Sequence, residues 1–347
     1  MFEFTTTRHN LLVDPALHLW GWQVAVYLFL GGLVAGLMII SGVRLVVMRP
    51  KERHSLVCCT IGPLIGLVLL SLGMFALFLD LEDKPHVWRL YLTFQITSPM
   101  SWGSWILLLV YPALLANALA HLPEAIPALS RRFPVLVTWS DFILARTRLV
   151  LAIGFTNLVV GVGLGIYTGI LLGTLGARPL WSSSLLGPLF LFSGLSTAAA
   201  LLHGILVLTL PDEERPEFAD FLLSTVARWS QSRPLDPRVA PTLARADNSF
   251  LTIELTLLGL FLIGLLTSTE AHQHAARLLL GGPYAATFWV FVVGLGITIP
   301  LLLQLLELRH TIRHSLVPAV LVLGGGLALR FVLVFAGQAS HWVVALR

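Results

Sequence analysis

Eight long apolar stretches, separated by polar connections, set the pattern of this chain. They run approximately over 19–47, 56–79, 102–122, 149–172, 185–210, 250–268, 288–306 and 316–335. Each holds about the 20 residues that an α-helix needs to cross roughly 30 Å of hydrocarbon. The pattern predicts an all-α integral membrane protein: eight transmembrane helices arranged as a bundle, one membrane domain over residues 1–347. The residues from Met1 to His18 are polar and contain Pro15, with no short apolar core followed by a small-residue cleavage site, so no removable signal peptide is expected.

An even number of crossings puts both termini on one side, and the basic residues say which. Arg44, Arg49, Lys51 and Arg53 flank the first connection, and Arg131, Arg132, Arg146 and Arg148 the third. Arg215, Arg228, Arg233, Arg238 and Arg245 flank the fifth, Arg309 and Arg313 the seventh. The opposite face, termini included, carries only Arg8, Lys84, Arg89, Arg178, Arg277 and Arg347. The excess marks the cytoplasmic side, so both termini are expected on the outer (periplasmic) side of a bacterial or archaeal inner membrane. Within the long cytoplasmic loop 211–248, Phe218, Phe221, Leu222, Val226 and Trp229 recur at helical spacing. They predict a helix over 218–229 that either lies in the interface or packs on its own bundle.

Composition agrees with a lipid solvent. At 56% hydrophobic and 12% charged residues, the chain has more apolar surface than one soluble core could bury. No internal repeat stands out, which removes the feature that best announces an inverted-repeat transporter. Glycines such as Gly161, Gly163 and Gly165, or Gly324, Gly325 and Gly326, read instead as points of close helix packing.

Candidate chemistry gathers at one end of the bundle. Asp80, Glu82, Asp83, Lys84, His86 and Arg89 crowd into ten residues just before the segment Thr97-Ser98-Pro99-Met100-Ser101-Trp102-Gly103-Ser104-Trp105. Thr97 and Ser98 can cap a helix, Pro99 suits its first turn, and Trp102 and Trp105 suit a water–lipid boundary. Tyr27, Asp80, Tyr167 and Arg330 fall at similar depth in the outer leaflet on four different spans. Polar groups in lipid usually face a cavity or each other, which predicts an outer-leaflet pocket. Tyr27 and Tyr167 also fit simple interfacial anchors, and Arg330 can pair with Asp80 or snorkel outward. A second set, Asp141, His203, Glu254 and Glu307 with Asn157 and Gln304 deeper, lies toward the cytoplasmic half. Asn157, His203 and Glu254 are candidates for a proton path, whereas Asp141 and Glu307 read as helix-end charges.

The cofactors are bounded by what is missing. With only the adjacent Cys58 and Cys59, the chain cannot hold an iron–sulfur cluster alone, and His203 is the only histidine well inside a span, which argues against haem. No metal site is expected.

The chain resembles the polysulfide reductase membrane subunit family, the NrfD/PsrC-type quinone-reactive anchors. The likeness rests on Trp22 to Gly36, on His86-Val87-Trp88 leading to the Thr97–Trp105 segment, on Tyr167-Thr168-Gly169 with Arg178-Pro179-Leu180-Trp181, and on Leu329-Arg330 to Gln338. It implies an eight-helix anchor that binds menaquinone or ubiquinone near the outer face in anaerobic respiration. It also implies a ferredoxin-like iron–sulfur subunit on the outer face and a molybdopterin catalytic subunit, with electrons exchanged between quinone and cluster. Tyr167 resembles the family tyrosine that binds a quinone carbonyl, and Asp80 the acidic residue ending the second helix. Where the family places a quinone-contacting histidine, this chain has Tyr27, with His18, Trp22 and Gln23 nearby. Tyr27, Tyr167 and Asp80 supply the phenols and the acid that quinone chemistry needs, and Arg330 can set the charge on Asp80. The outer loop from Leu81 to Met100, with Trp88, is the expected docking surface for the iron–sulfur subunit. Lipid is the expected contact of the basic face, and no nucleic-acid partner is expected. A secondary transporter or a structural membrane scaffold is the alternative reading.

Overall fold

The computed structural model describes residues 20–47, 57–81, 83–174, 178–208, 239–309 and 315–340. Among the described residues the chain is helical without a strand, and eight helices are long and apolar enough to cross a membrane. They are α1 (Trp22–Val47), α2 (Gly62–Asp80), α3 (Pro99–Ala125), α4 (Thr147–Gly173), α5 (Leu186–Leu208), α6 (Val239–Leu266), α7 (Thr287–Leu308) and α8 (Val317–Ala339). The eight-helix fold class expected from the apolar stretches is what the chain adopts. It is a multi-pass membrane protein.

The helices form two four-helix bundles. In one, α1 packs on α2 and α4, and α3 closes the ring against the same two; in the other, α5 packs on α6 and α8, and α7 closes the ring. Helix α1 lies on α5, flanked by α4 and α8, and joins the halves. That seam is the core: 78% of the apolar window of α1 and 72% of that of α5 are buried, against at most 56% for any other span.

Lipid tails are as apolar as leucine, so helices associate where small residues let backbones approach. Gly36 of α1 meets the Gly194 carbonyl of α5, and a Cβ there would lie 2.6 Å from that of Ala198. A Cβ on Gly296 of α7 would lie 2.6 Å from the Gly325 Cα of α8. Of the glycines read as packing points, Gly161, Gly165, Gly325 and Gly326 do meet neighbours, whereas Gly163 and Gly324 face open space.

Several boundaries differ from those read off hydropathy. Helix α6 starts at Val239 rather than near 250, so the last part of the expected loop 211–248 is helical. Its polar residues end the apolar run without ending the helix, because Asp247 finds hydrogen bonds inside the bundle. Helix α7 is a π-helix over Thr287–Thr298 before it becomes α-helical. The helix expected over 218–229 lies outside the described residues. An unforeseen short helix, Pro134–Leu144, connects α3 to α4 with Val135, Trp139 and Phe142 exposed. Arg131, Arg132, Arg146 and Arg148 are exposed at its two ends.

At the arginine-poor face the start of α1 and the end of α8 are clipped together. The Trp20 N–H donates to Gln338 Oε1, and Gln338 Nε2 donates to the Trp20 carbonyl, both at 2.9 Å. Trp181 locks the same corner, donating from Nε1 to the Leu333 carbonyl at 2.8 Å and packing its ring 5.2 Å from that of Trp20.

Candidate functional site

At the arginine-poor face, α1 to α4 surround a cavity of about 510 Å³. Tyr27 from α1, Asp80 from α2 and Tyr167 from α4 all line it. The walls between them are apolar, with Val24, Met74, Leu77, Leu107 and Leu171.

Each polar side chain is placed by a local feature. Tyr27, 3% exposed, follows Trp22 by about one and a half turns and packs toward Gly73 of α2. Tyr167, 6% exposed, lays its phenol against Gly103, where a Cβ would overlap the hydroxyl. The Trp-Gly-Ser-Trp segment thus provides the seat for the Tyr167 ring. Asp80 is the last residue of α2, half-buried, and accepts the backbone N–H of Gly21. An acid at a helix C-terminus opposes the macrodipole, so helix stability does not account for its position.

The loop over the cavity is stapled to the first turns of α3. Ser101 Oγ donates to the Thr93 carbonyl at 3.2 Å and accepts the Gln95 N–H at 3.0 Å. Ser104 Oγ reaches the Leu90 carbonyl at 2.7 Å, and Trp102 Nε1 the Ile96 carbonyl at 2.8 Å. Ser98 is the N-cap of α3 and Pro99 its first residue, but no side chain caps the helix. The stapled loop supplies Asp83, His86 and Arg89, members of the charged cluster that the sequence marks as candidate chemistry, and Tyr91, which the sequence did not single out, to the cavity wall. Proximity in the chain to that cluster was the available signal for Tyr91. Burial raises the Tyr91 phenol above its ordinary value of 10.0, and neighbouring Tyr111 adds to the effect, so it stays a protonated donor at neutral pH.

The donor set suits a quinone ring. An apolar-walled cavity with two buried phenols and one carboxyl matches a ring bearing two carbonyl oxygens, and the volume falls in the roughly 300–1,000 Å³ range of small-molecule sites. Among the described residues no group of three or more His, Cys, Asp or Glu could hold a metal ion.

Other residues picked out by the sequence lie elsewhere. Trp22 is 52% exposed and Gln23 partly buried, and neither is among the cavity-lining residues. Arg330 is fully buried in the α5–α8 bundle, away from Asp80. Its Nη1 donates to Ser193 Oγ and, at 3.2 Å, to the Gly326 carbonyl; Nη2 reaches the Phe190 carbonyl at 3.2 Å. Glu254 of α6 is the carboxylate beside it, next to Ser193. Two turns along α6, Asp247 accepts Ser196 Oγ at 2.9 Å and Gln304 Nε2 at 2.6 Å. His203 is fully buried further along α5. Asn157 belongs to the other bundle, where its Nδ2 donates to the Ala113 and Ile153 carbonyls at 2.9 Å. The candidate path residues are therefore divided between the bundles. Sequence reading missed Asp247 because a polar Ala-Asp-Asn looked like loop. Asp141 is exposed, and Glu307 is buried, accepting the Ser315 N–H at 3.0 Å just before α8.

Comparison with known proteins gives a consistent picture. The family model described as polysulphide reductase, NrfD matches residues 12–341. The sequence is 29% identical over 327 residues to the C subunit of polysulfide reductase from Wolinella succinogenes, covering 92% of this protein and 94% of that one. It is 30% identical over 331 residues to protein NrfD of Escherichia coli, covering 92% and 95%. A third relative, the NrfD homolog of Haemophilus influenzae, is 26% identical over 328 residues. The chain belongs to the polysulphide reductase NrfD family.

Proposed function

We propose that this member of the NrfD family is the quinone-reactive membrane subunit of a respiratory oxidoreductase complex, with menaquinone or ubiquinone held in the α1–α4 cavity. The observation that carries the reading is the convergence of Tyr27, Asp80 and Tyr167, from three helices, on one apolar-walled cavity. A relative named as one component of a polysulfide reductase supports a role as one part of a larger reductase. The basic residues at the opposite end support an orientation with the cavity and both termini on the outer side.

When bound, the quinone/quinol pair supplies two-electron, two-proton chemistry. Tyr167 and Tyr27 donate their phenolic hydrogens to the ring's carbonyl oxygens and fix its orientation. Asp80 takes or returns a proton at its carboxylate, being the one acid that both lines the cavity and ends a membrane helix. The apolar walls, with Val24, Met74, Leu77, Leu107 and Leu171, would exclude water from the ring. A ferredoxin-like iron–sulfur partner would dock over the loop, where Trp88, Leu92, Phe94 and Ile96 are 51–71% exposed, and exchange electrons with the quinone. A molybdopterin subunit completes the complex. In the second bundle, Arg330, Ser193, Glu254, Ser196, Asp247 and Gln304 offer hydrogen-bonding groups that a proton-coupled version of the same function would use, with His203 beyond them.

Tyr167→Phe and Asp80→Asn test the assignment. Both are expected to lower quinone-linked turnover with assembly intact, Tyr167→Phe by roughly 2- to 12-fold for one lost hydrogen bond and Asp80→Asn by about tenfold or more for a lost acid–base group. Unchanged turnover in both variants would favour a structural scaffold.

A further inference from the structure

We propose that His86, held by Asp83, is the group through which the quinone cavity exchanges protons with water. This inference rests on the quinone reading above and adds an outlet to it.

The pair is built by a single turn. Asp83 precedes the 3-10 turn Lys84–His86, whose second residue is Pro85, and the turn brings the side chains of positions 83 and 86 together. His86 Nδ1 lies 2.9 and 2.8 Å from the two carboxylate oxygens of Asp83. A carboxylate cannot donate, so Nδ1 carries the hydrogen and Nε2 holds the lone pair of the neutral ring. The same carboxylate stabilises the ring once Nε2 is protonated. An imidazole fixed in this way accepts and releases a proton at one defined atom.

Position makes that capacity relevant. Both side chains line the cavity that contains Asp80 and Tyr167, yet they are 45% and 68% exposed, whereas the two phenols are buried. Accessibility rises from Tyr27 and Tyr167, through half-buried Asp80, to His86 and Asp83 at the mouth. The titratable and charged groups facing this space are Tyr27 from α1, Asp80 from α2, Tyr167 from α4, and Asp83, Arg89 and Tyr91 from the loop; α3 contributes only Met100, Gly103, Ser104 and Leu107. Within that set, His86 is the only side chain with one ring nitrogen fixed as a donor and a second left to accept a proton.

In the oxidative direction, a proton leaving the quinol hydroxyl is taken by the Asp80 carboxylate and then bonds to His86 Nε2 as the Asp80 O–H breaks. The imidazolium releases it to bulk water, while the electrons leave separately to the iron–sulfur partner. In the reductive direction each transfer runs in reverse. The plainer role for an exposed Asp–His pair is a turn staple that contributes little to stability, and such a staple has no reason to alter proton traffic.

The test uses the intact complex, a short-chain quinol, and the variants His86→Gln and Asp83→Asn, with Tyr167→Phe as control. His86→Gln is expected to lower kcat roughly tenfold or more with KM and bound quinone unchanged, to change the shape of the pH–kcat profile, and to regain turnover when imidazole is added to the buffer. Asp83→Asn should lower kcat less and change the profile in the same sense. A His86→Gln complex with wild-type kcat and pH profile, or with a loss that imidazole does not restore and an unaltered profile, overturns the proposal while the Tyr167→Phe loss keeps the quinone reading. If Tyr167→Phe also leaves turnover untouched, the quinone reading itself is what has failed.

Discussion

Replacing Gly103 by alanine should disable Tyr167 without altering it chemically. A Cβ at Gly103 would lie 2.7 Å from Tyr167 Cε1 and closer still to the phenol oxygen. Carbon atoms in proteins do not settle that close, so one partner must move by several tenths of an ångström or more. The Gly103 backbone is held in a helix whose neighbouring serines staple the loop, and Tyr167 is 6% exposed with its cavity side open. The ring therefore swings into the cavity, taking its hydroxyl away from the carbonyl position and narrowing the slot. Losing one hydrogen bond to the bound ring costs about 0.5–1.5 kcal/mol, or roughly 2- to 12-fold, and up to about 3 kcal/mol if an acceptor is left buried and unsatisfied. The assay is quinol oxidation with quinone content measured in parallel, on Gly103→Ala, Tyr167→Phe and the double variant. Both single variants should lose activity, and the double variant should be little worse than the more impaired single, because the two changes act through one hydroxyl. Full activity in Gly103→Ala, or strictly additive losses, would refute the reasoning.

Two further substitutions test the frame around the site. Arg330→Gln removes the cation beside Glu254 and should destabilise the protein by roughly 3–5 kcal/mol, the cost of stranding a buried charge, read as a lowered unfolding temperature in detergent while quinone stays bound in the other bundle. Equal stability would mean that Glu254 does not depend on that cation. Gly36→Val drives a side chain into the Gly194 carbonyl and should separate α1 from α5 at a cost of about 1–3 kcal/mol, detected by thermal unfolding. Valine at Gly163, where a Cβ meets open space, is the control expected to change little.

The two levels of the structure were unequally legible in the sequence. The eight spans could be read because a bilayer demands long apolar runs, and the runs are long. Their grouping into two bundles could not, since helix neighbours in lipid are chosen by small-residue fit such as Gly36 on Gly194, which has no hydropathy signature. Depth along a span is also legible, and Tyr27, Asp80 and Tyr167, read at similar depth, line one cavity. Arg330 was read at that depth too but packs on Phe190 and Ser193 of the other bundle, because depth carries no information about which way a helix faces. Asp247 was hidden for a different reason. Hydrophobicity ends where α6 turns polar, while the helix continues because Ser196 and Gln304 satisfy the carboxylate. The Pro134–Leu144 helix is too short to announce itself as a span, and its apolar Val135, Trp139 and Phe142 are exposed rather than packed into the bundle.

The most direct measurement is the quinone content of the protein purified in mild detergent with its natural partners attached, by solvent extraction and mass spectrometry, for wild type and for Tyr167→Phe. A menaquinone or ubiquinone recovered at roughly one per wild-type protomer, and reduced in the variant, is the expected result. Wild-type complex that repeatedly carries no quinone, or carries the same amount when Tyr167 is changed, would contradict a quinone site in the α1–α4 cavity.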